Sequence, residues 1–371
     1  MKKILVILGT RPEAIKLSPV ILELGRSGGF QVRTCATGQH RQMLDQVLEV
    51  FGIAPDHDLD IMRSDQSPAE AVSRILAALD PVLEREQPDM VLVQGDTTTT
   101  LCGALAAFYR RIPVGHVEAG LRTGDLRQPF PEEMNRVVTG RLAALHFAPT
   151  EGAAQNLRRE GVDAAAIHVT GNTGIDAVLH VKAGLETGIL ASQGLPAIDP
   201  AAKLIVATTH RRESFGEGLE RLCRALAALA SREDVRIVLP VHPNPNVRGP
   251  VERWLGGSPR VRLVAPMDYV SFVDLMRRAY LIVTDSGGIQ EEAPSLGKPV
   301  LVVREKTERP EAVRAGTVKL VGTDFDRIVG EATLLLDSAG EYRRRAAIHN
   351  PYGDGHASPR IAQAMAEFLA L

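Results

Sequence analysis

Apolar and polar positions along the chain keep a two-part rhythm. Short apolar runs alternate with longer stretches whose apolar residues recur at helical spacing, the marks of buried strands and amphipathic helices. Ile4–Leu8 reads as a strand, and a helix carrying Ile15, Val20, Leu22 and Leu24 follows it, opened by Pro12. Strands at Val32–Thr37, Met90–Val93, Ile112–Val117, Leu145–Ala148 and Ile167–Thr170 alternate with helices at Ala69–Leu83, Leu101–Tyr109 and from Thr150, and Met43, Val47, Leu48 and Phe51 mark a helical face. The second half repeats the scheme. Strands are expected at Leu204–Ala207, Val235–Leu239, Val261–Val264, Tyr280–Val283, Pro299–Val303 and Val318–Val321. Helices are expected from Phe215, Asn246 and Tyr269, over Ile289–Leu296 and Asp324–Leu336, and from Ser358. Such alternation predicts an α/β fold of two Rossmann-like, doubly wound parallel sheets. The expected domains are 1–170 and 171–355, with a final helix at 356–371 packing back on the first.

Composition narrows the function. The chain has 371 residues, 44% apolar and 24% charged, enough for two full cores. A net charge of −2 gives no reason to expect nucleic acid or an acidic membrane surface, so an anionic ligand needs local cations. Cys35, Cys102 and Cys223 are scattered and odd in number, which speaks against a disulfide framework. Met1-Lys2-Lys3-Ile4 runs into a strand, not a signal core, and no apolar run reaches bilayer length, so a cytoplasmic location is expected. The first strand lacks a following GxGxxG, which argues against bound NAD.

The chemistry gathers at strand ends, where open parallel sheets bind ligands. Thr284-Asp285-Ser286-Gly287-Gly288 lies between an apolar strand and a helix. Glycine admits a close backbone approach and a helix start attracts anions, so Ser286, Gly287 and Gly288 read as a phosphate seat. Glu292, one turn on, suits a ribose diol. A tight turn without a ligand is the plainer reading of the same residues. The first half contributes Arg11, Glu13, Lys16, Gln39, His40, Asp96, Glu118 and Arg122. The second contributes His210, Arg211, Arg212, Glu213, His242 and Asn244, and facing sheets would put both sets on one cleft. Asp96, Glu118 and Glu132 are open to two readings. One is a metal cage, although no His/Cys/Asp cluster at ligand spacing accompanies them; the other is general acid–base work. Glu133 and Glu291 fit helix caps or surface acids. Arg309, like Arg11 and Lys16, suits phosphate contact or a solvated surface.

Several stretches together carry a family resemblance: Gly9-Thr10-Arg11-Pro12-Glu13, Gly95-Asp96-Thr97, His116-Val117-Glu118-Ala119-Gly120-Leu121-Arg122, Pro131-Glu132-Glu133-Met134-Asn135-Arg136, His210-Arg211-Arg212-Glu213 and 284–294. The chain resembles the bacterial non-hydrolysing UDP-N-acetylglucosamine 2-epimerases over nearly its whole length. That resemblance implies a GT-B-like architecture with a deep interdomain cleft and a homodimer. It also implies interconversion of UDP-GlcNAc and UDP-ManNAc for envelope polysaccharide synthesis, with no cofactor and no metal. It places Asp96, Glu118, Glu132 and His210 in catalytic positions. Arg11, Lys16, Phe272, Ser286, Gly287, Gly288, Glu292 and Arg309 take substrate-binding positions. Gln39, Gln42 and His242 match an allosteric UDP-GlcNAc site of some members, while Arg63-Ser64-Asp65 carries an acid where some have arginine.

Inverting C2 needs a removable proton. Loss of UDP from C1 would supply one by elimination through a 2-acetamidoglucal, as the resemblance implies. A GT-B glycosyltransferase, a hydrolysing epimerase and a non-catalytic UDP-sugar sensor are the rivals. The sensor would not need Asp96, Glu118 and Glu132.

Overall fold

The structure, a computed structural model, describes residues 1–38, 41–61, 66–209, 216–307 and 309–371, with the side chains of residues 41–43 set aside. The chain forms two compact units, Met1–Ala177 with Tyr352–Leu371, and Val178–Pro351.

The first unit alternates strands and helices: β1 (Lys2–Leu8), α1 (Arg11–Arg26), β2 (Phe30–Ala36), α2 (Arg41–Val50), β3 (His57–Asp58), α3 (Pro68–Glu86), β4 (Met90–Gln94) and α4 (Thr98–Tyr109). It continues with β5 (Val114–Val117), α5 (Glu132–Leu142), β6 (Leu145–Ala148), α6 (Glu151–Arg159) and β7 (Ile167–Val169), and α7 (Thr173–Thr187) carries the chain on into the second unit at Val178. Its sheet is parallel, in the order β3-β2-β1-β4-β5-β6-β7. The two-residue β3 escapes the apolar pattern because it holds only His57 and Asp58.

Helix starts here are written in the sequence. Thr10 caps α1, and Glu13 reaches back to complete a capping box. Ser67 and Glu70 do the same for α3, each followed by proline at the helix start. Ile75, Leu79 and Leu83 of α3 and Cys102 and Ala106 of α4 lie against Leu5, Ile7, Val91 and Val93, which seals one face of the sheet.

The second unit holds β8 (Lys203–Thr208), α8 (Glu217–Ala230), β9 (Val235–Pro240), α9 (Pro245–Leu255), β10 (Val261–Val264), α10 (Tyr269–Arg278), β11 (Leu281–Thr284) and α11 (Gly287–Glu292). Then come β12 (Val300–Val302), α12 (Pro310–Ala315), β13 (Val318–Leu320), α13 (Phe325–Asp337) and α14 (Ala339–Ala346). The order β10-β9-β8-β11-β12-β13 is again parallel and reverses between β8 and β11. The expected helix over Ile289–Leu296 is corrected: α11 begins at Gly287, and Ala293–Leu296 tightens to a 3₁₀ turn. Pro294 has no N–H for the helical ladder, and Gly297, left-handed at φ 69°, ends the run.

The last helix, α15 (Ala357–Phe368), returns to the first unit and packs on α1. Both oxygens of the Asp176 carboxylate hold its start, accepting Ser358 N–H at 2.7 Å and Ala357 N–H at 3.2 Å. Among the described residues no helix is long and apolar enough to cross a membrane.

Candidate active site

In the first unit the strand order reverses between β1 and β4, and doubly wound sheets bind ligands at such a switch point. The turn after β1 carries Arg11 and the turn after β4 carries Asp96, while Glu118 follows β5. The β1–α1 turn is tight: a Cβ at Gly9 would lie 2.3 Å from both Thr37 Oγ1 and Thr99 Oγ1.

Glu118 is a non-glycine residue at φ 63°, a left-handed conformation that costs about 1–3 kcal/mol and persists only where surrounding contacts enforce it. Here they do. Lys16 Nζ pairs with Glu118 Oε2, and Gln94 Nε2 donates to the same oxygen at 2.6 Å. Two donors on one oxygen fix the position of this side chain.

Asp96 sits beside it. Arg136 Nη1 approaches Asp96 Oδ2 at 3.2 Å, and Asn135 Nδ2 donates to the Asp96 carbonyl at 2.9 Å. The Asp96 side chain keeps 32% of its surface open, yet the packing around it is dense. Burial and the Glu118 charge push its carboxyl up to about 6, against Arg136 and Lys16, with Glu132 adding to the rise. Two neighbouring carboxyl groups thus differ: one clamped by donors, the other poised to exchange a proton near neutrality.

Helix α5 supplies the frame. Glu132 at its first position is partly buried, while Glu133 turns inward at 1% exposure. Glu133 is therefore no surface acid. Its Oε1 accepts Thr123 N–H and Gly124 N–H, each at 3.0 Å, and its Oε2 pairs with Arg136 through Nε at 2.6 Å and through Nη2. Arg136, buried between Glu133 and Asp96, joins the 123–124 backbone to the Asp96 turn.

His116 on β5 donates from Nε2 to the Gly95 carbonyl at 2.7 Å; a carbonyl can only accept, so the ring proton is on Nε2. Burial pushes this imidazole down to about 3, so it stays neutral. Arg122 is drawn away into a two-pronged pair with Glu160, at 2.7 and 2.9 Å. The Arg11 side chain makes no hydrogen bond or ion pair among the described residues, and the residue is partly exposed, so its guanidinium can meet an anion.

In the second unit the switch point lies between β8 and β11, whose ends are tied by Thr208 Oγ1 and Thr284 Oγ1 at 2.6 Å. Ser286 N–H donates to Thr284 Oγ1 at 3.0 Å, and the Ser286 hydroxyl makes no cap bond to α11. The first N–H groups of a helix have no partner within it, so Gly287 and Gly288 present donors beside a hydroxyl. Glu292 reaches back over the same turn, its Oε1 4.0 Å from where a Cβ of Gly288 would stand.

Glu291, read from sequence as a cap or surface acid, is 3% exposed and pairs with the Arg309 guanidinium. Its helical position turns it inward, and Asn350 Nδ2 holds its carbonyl at 2.7 Å. Arg309 is further placed by a relay: Gln290 Nε2 donates to the Ser286 carbonyl at 3.1 Å, Thr307 Oγ1 to Gln290 Oε1 at 2.8 Å, and Arg309 N–H to Thr307 Oγ1 at 3.1 Å. Phe272 lies partly buried on α10, and His242 is exposed beyond β9.

The structure therefore groups Lys16, Asp96, Glu118 and Glu132 in one unit, and Ser286, Gly287, Gly288, Glu292 and Arg309 in the other. His210, with Arg211, Arg212 and Glu213, lies outside the described residues, as do Gln39, His40, Arg63-Ser64-Asp65 and the Gln42 side chain. Gln94 and Thr307 are given no role by the sequence reading, and Asn135 and Arg136 stand there only within a motif. Helical spacing of Arg136 from Glu132 and Glu133 was the available signal. Among the described residues no three His, Cys, Asp or Glu side chains cluster as a metal site would require.

Comparison with known proteins places this arrangement. Residues 22–366 match the family model described as UDP-N-acetylglucosamine 2-epimerase. The chain is 57% identical to the UDP-N-acetylglucosamine 2-epimerase of Escherichia coli K12 over 368 residues, 98% of each protein. Among solved structures it is similar to the UDP-GlcNAc 2-epimerase of Neisseria meningitidis bound to UDP-GlcNAc, with a TM-score of 0.90 and 48% identity over 98% of this chain and 100% of that one. It is also similar to the Staphylococcus aureus MnaA–UDP co-structure, with a TM-score of 0.87 and 45% identity over 100% of this chain and 98% of that one. With two doubly wound sheets of the GT-B-like kind and that similarity along its whole length, the chain is an enzyme belonging to the UDP-N-acetylglucosamine 2-epimerase family.

Proposed function

We propose that the enzyme interconverts UDP-GlcNAc and UDP-ManNAc by eliminating and re-adding UDP, without hydrolysis and without a hydride carrier. The observation that carries the reading is the Asp96–Glu118 pair, two adjacent carboxyl groups in unlike environments. The C1–O bond breaks and UDP leaves with the bonding electrons. A carboxylate takes the C2 proton, and a C1–C2 double bond forms. Protonation of C2 from the other face and return of a UDP oxygen to C1 give the epimer, with no net oxidation. By reversibility each proton-carrying group is acid and base in turn.

Asp96, Glu118, Glu132 and His210 take the work at the sugar. Ser286, Gly287, Gly288, Glu292, Phe272 and Arg309 hold the nucleotide, with Arg11 and Lys16 adding positive charge. Preorganised donors for the departing diphosphate are the largest electrostatic contribution to such a step. Support comes from the Glu291 and Thr307 contacts that hold Arg309 in place. NMR of UDP-GlcNAc with the enzyme in heavy water tests the reading. UDP-ManNAc should appear with deuterium at C2 in both sugars. Turnover without wash-in excludes elimination, release of free ManNAc indicates hydrolysis, and absence of UDP-ManNAc favours a transferase.

A further inference from the structure

We propose that Glu13 is a positioning residue for this reaction, a joint that locks the Arg11 turn to the Asp96 turn. Its side chain comes from the first turn of α1 and is 1% exposed. Oε2 accepts the N–H groups of Gly9 at 3.0 Å and Thr10 at 2.6 Å, the residues that lead into Arg11. Oε1 accepts the Thr97 hydroxyl at 2.7 Å and lies 3.2 Å from Thr100 Oγ1. Thr97 directly follows Asp96 and caps α4 by accepting Thr100 N–H at 3.1 Å. Thr100 Oγ1 also donates to the Gln94 carbonyl at 2.6 Å, and the Gln94 side chain is a donor to Glu118.

One buried carboxylate therefore touches both turns at the switch point of the sheet. A capping box would need only the Thr10 side of this arrangement. The second oxygen is spent on the other loop, where it constrains the residue after Asp96. Burial raises the Glu13 carboxyl, against the Thr97, Thr10 and Gly9 bonds, and a polar group this deeply buried costs folding energy unless such bonds compensate it. Misplacing reacting groups by about 1 Å can cost on the order of a hundredfold in rate, which gives such a joint its value.

The inference rests on the assignment of Asp96 as a proton-transfer group, and its test separates the two. Thr97→Val removes the hydroxyl that links Glu13 to the Asp96 turn and leaves the Arg11 side intact. Its kcat for UDP-GlcNAc should fall about tenfold or more, with UDP affinity by calorimetry held within about twofold, and Thr97→Ser should restore most of the loss. Glu13→Ala should lose about a hundredfold in kcat. Glu13→Gln keeps an acceptor for Gly9 and Thr10 and turns two N–H donors toward the threonine oxygens, so it should recover most of what alanine loses. A wild-type kcat in Thr97→Val, equal losses of kcat and UDP affinity in that variant, or a Glu13→Gln as damaged as Glu13→Ala would each overturn the joint. Asp96→Asn decides the other assignment: if it is dead while Thr97→Val is unimpaired, only the positioning role falls, and if it is active, the Asp96 role falls.

Discussion

Replacing Arg136 with methionine should destabilise the first unit strongly, and the structure sets the size. Arg136 Nε and Nη2 both engage Glu133, which is 1% exposed. Breaking a buried pair by removing one partner costs about 3–5 kcal/mol, because the remaining charge is stranded. Glu133 would retain the Thr123 and Gly124 N–H groups, which places the loss near the lower end, about 3 kcal/mol. For a unit of this size that is a fall of about 6–12 °C in Tm. The exposed Arg248–Glu252 pair, with side chains 65% and 52% open, is the control: Arg248→Met should cost under about 1 kcal/mol.

The deficit should also depend on pH. In the wild type, burial opposes the Glu133 charge, but Gly124 N–H, Arg136 and Thr123 N–H outweigh it and hold the carboxyl below its ordinary value. The resulting stability is present above the unfolded pKa and is lost as pH falls through the folded one. Without Arg136, burial should raise the carboxyl, so the variant's penalty is full at neutral pH and fades as Glu133 takes up a proton. Differential scanning calorimetry of both proteins between about pH 4 and 7 reads this, with the Tm gap widening toward neutrality. Adding Glu133→Gln to Arg136→Met should recover about half of the loss or more. A Tm within about 2 °C of wild type for Arg136→Met, or a gap that does not vary with pH, would refute the reasoning.

Other expectations follow from the same geometry. Asp96→Asn should abolish turnover yet hold UDP within about 1.4 kcal/mol of wild-type affinity, as read by isothermal calorimetry. Arg309→Ala should weaken UDP by about 1.5–3 kcal/mol, and a change below about 0.5 kcal/mol would remove it from the nucleotide site. Asp176→Ala strips two backbone N–H groups at the start of α15 of their acceptor and should cost about 1–3 kcal/mol, with proteolysis first at the C-terminal helix; unchanged cleavage kinetics would deny that anchor.

Much of this fold is legible in the sequence. Strand runs such as Ile4–Leu8 and Leu281–Val283 are apolar because both faces of a parallel sheet are covered, so each stands out in the sequence. Candidate residues clustered at strand ends because parallel strands all finish on one side. What resisted reading was the direction of a side chain. Glu132 and Glu133 are neighbours in sequence, but helical geometry turns them about 100° apart, so one stays partly open and the other is interred with Arg136. Glu291 and Glu292 repeat the case. Nothing in the sequence marks Gln94 for a role, and Thr97 stands only within a motif, since their partners Glu118 and Glu13 lie far away along the chain.

The return of residues 352–371 to the first unit has a consequence for synthesis. A ribosome releases the chain from its N-terminus, and domains commonly fold as they emerge. Val178–Pro351 is contiguous and can mature once it has cleared the exit tunnel. The earlier-made unit must wait with the α15 side of α1 uncovered until residues 352–371 have been added, so it is completed only after the unit that follows it in the chain.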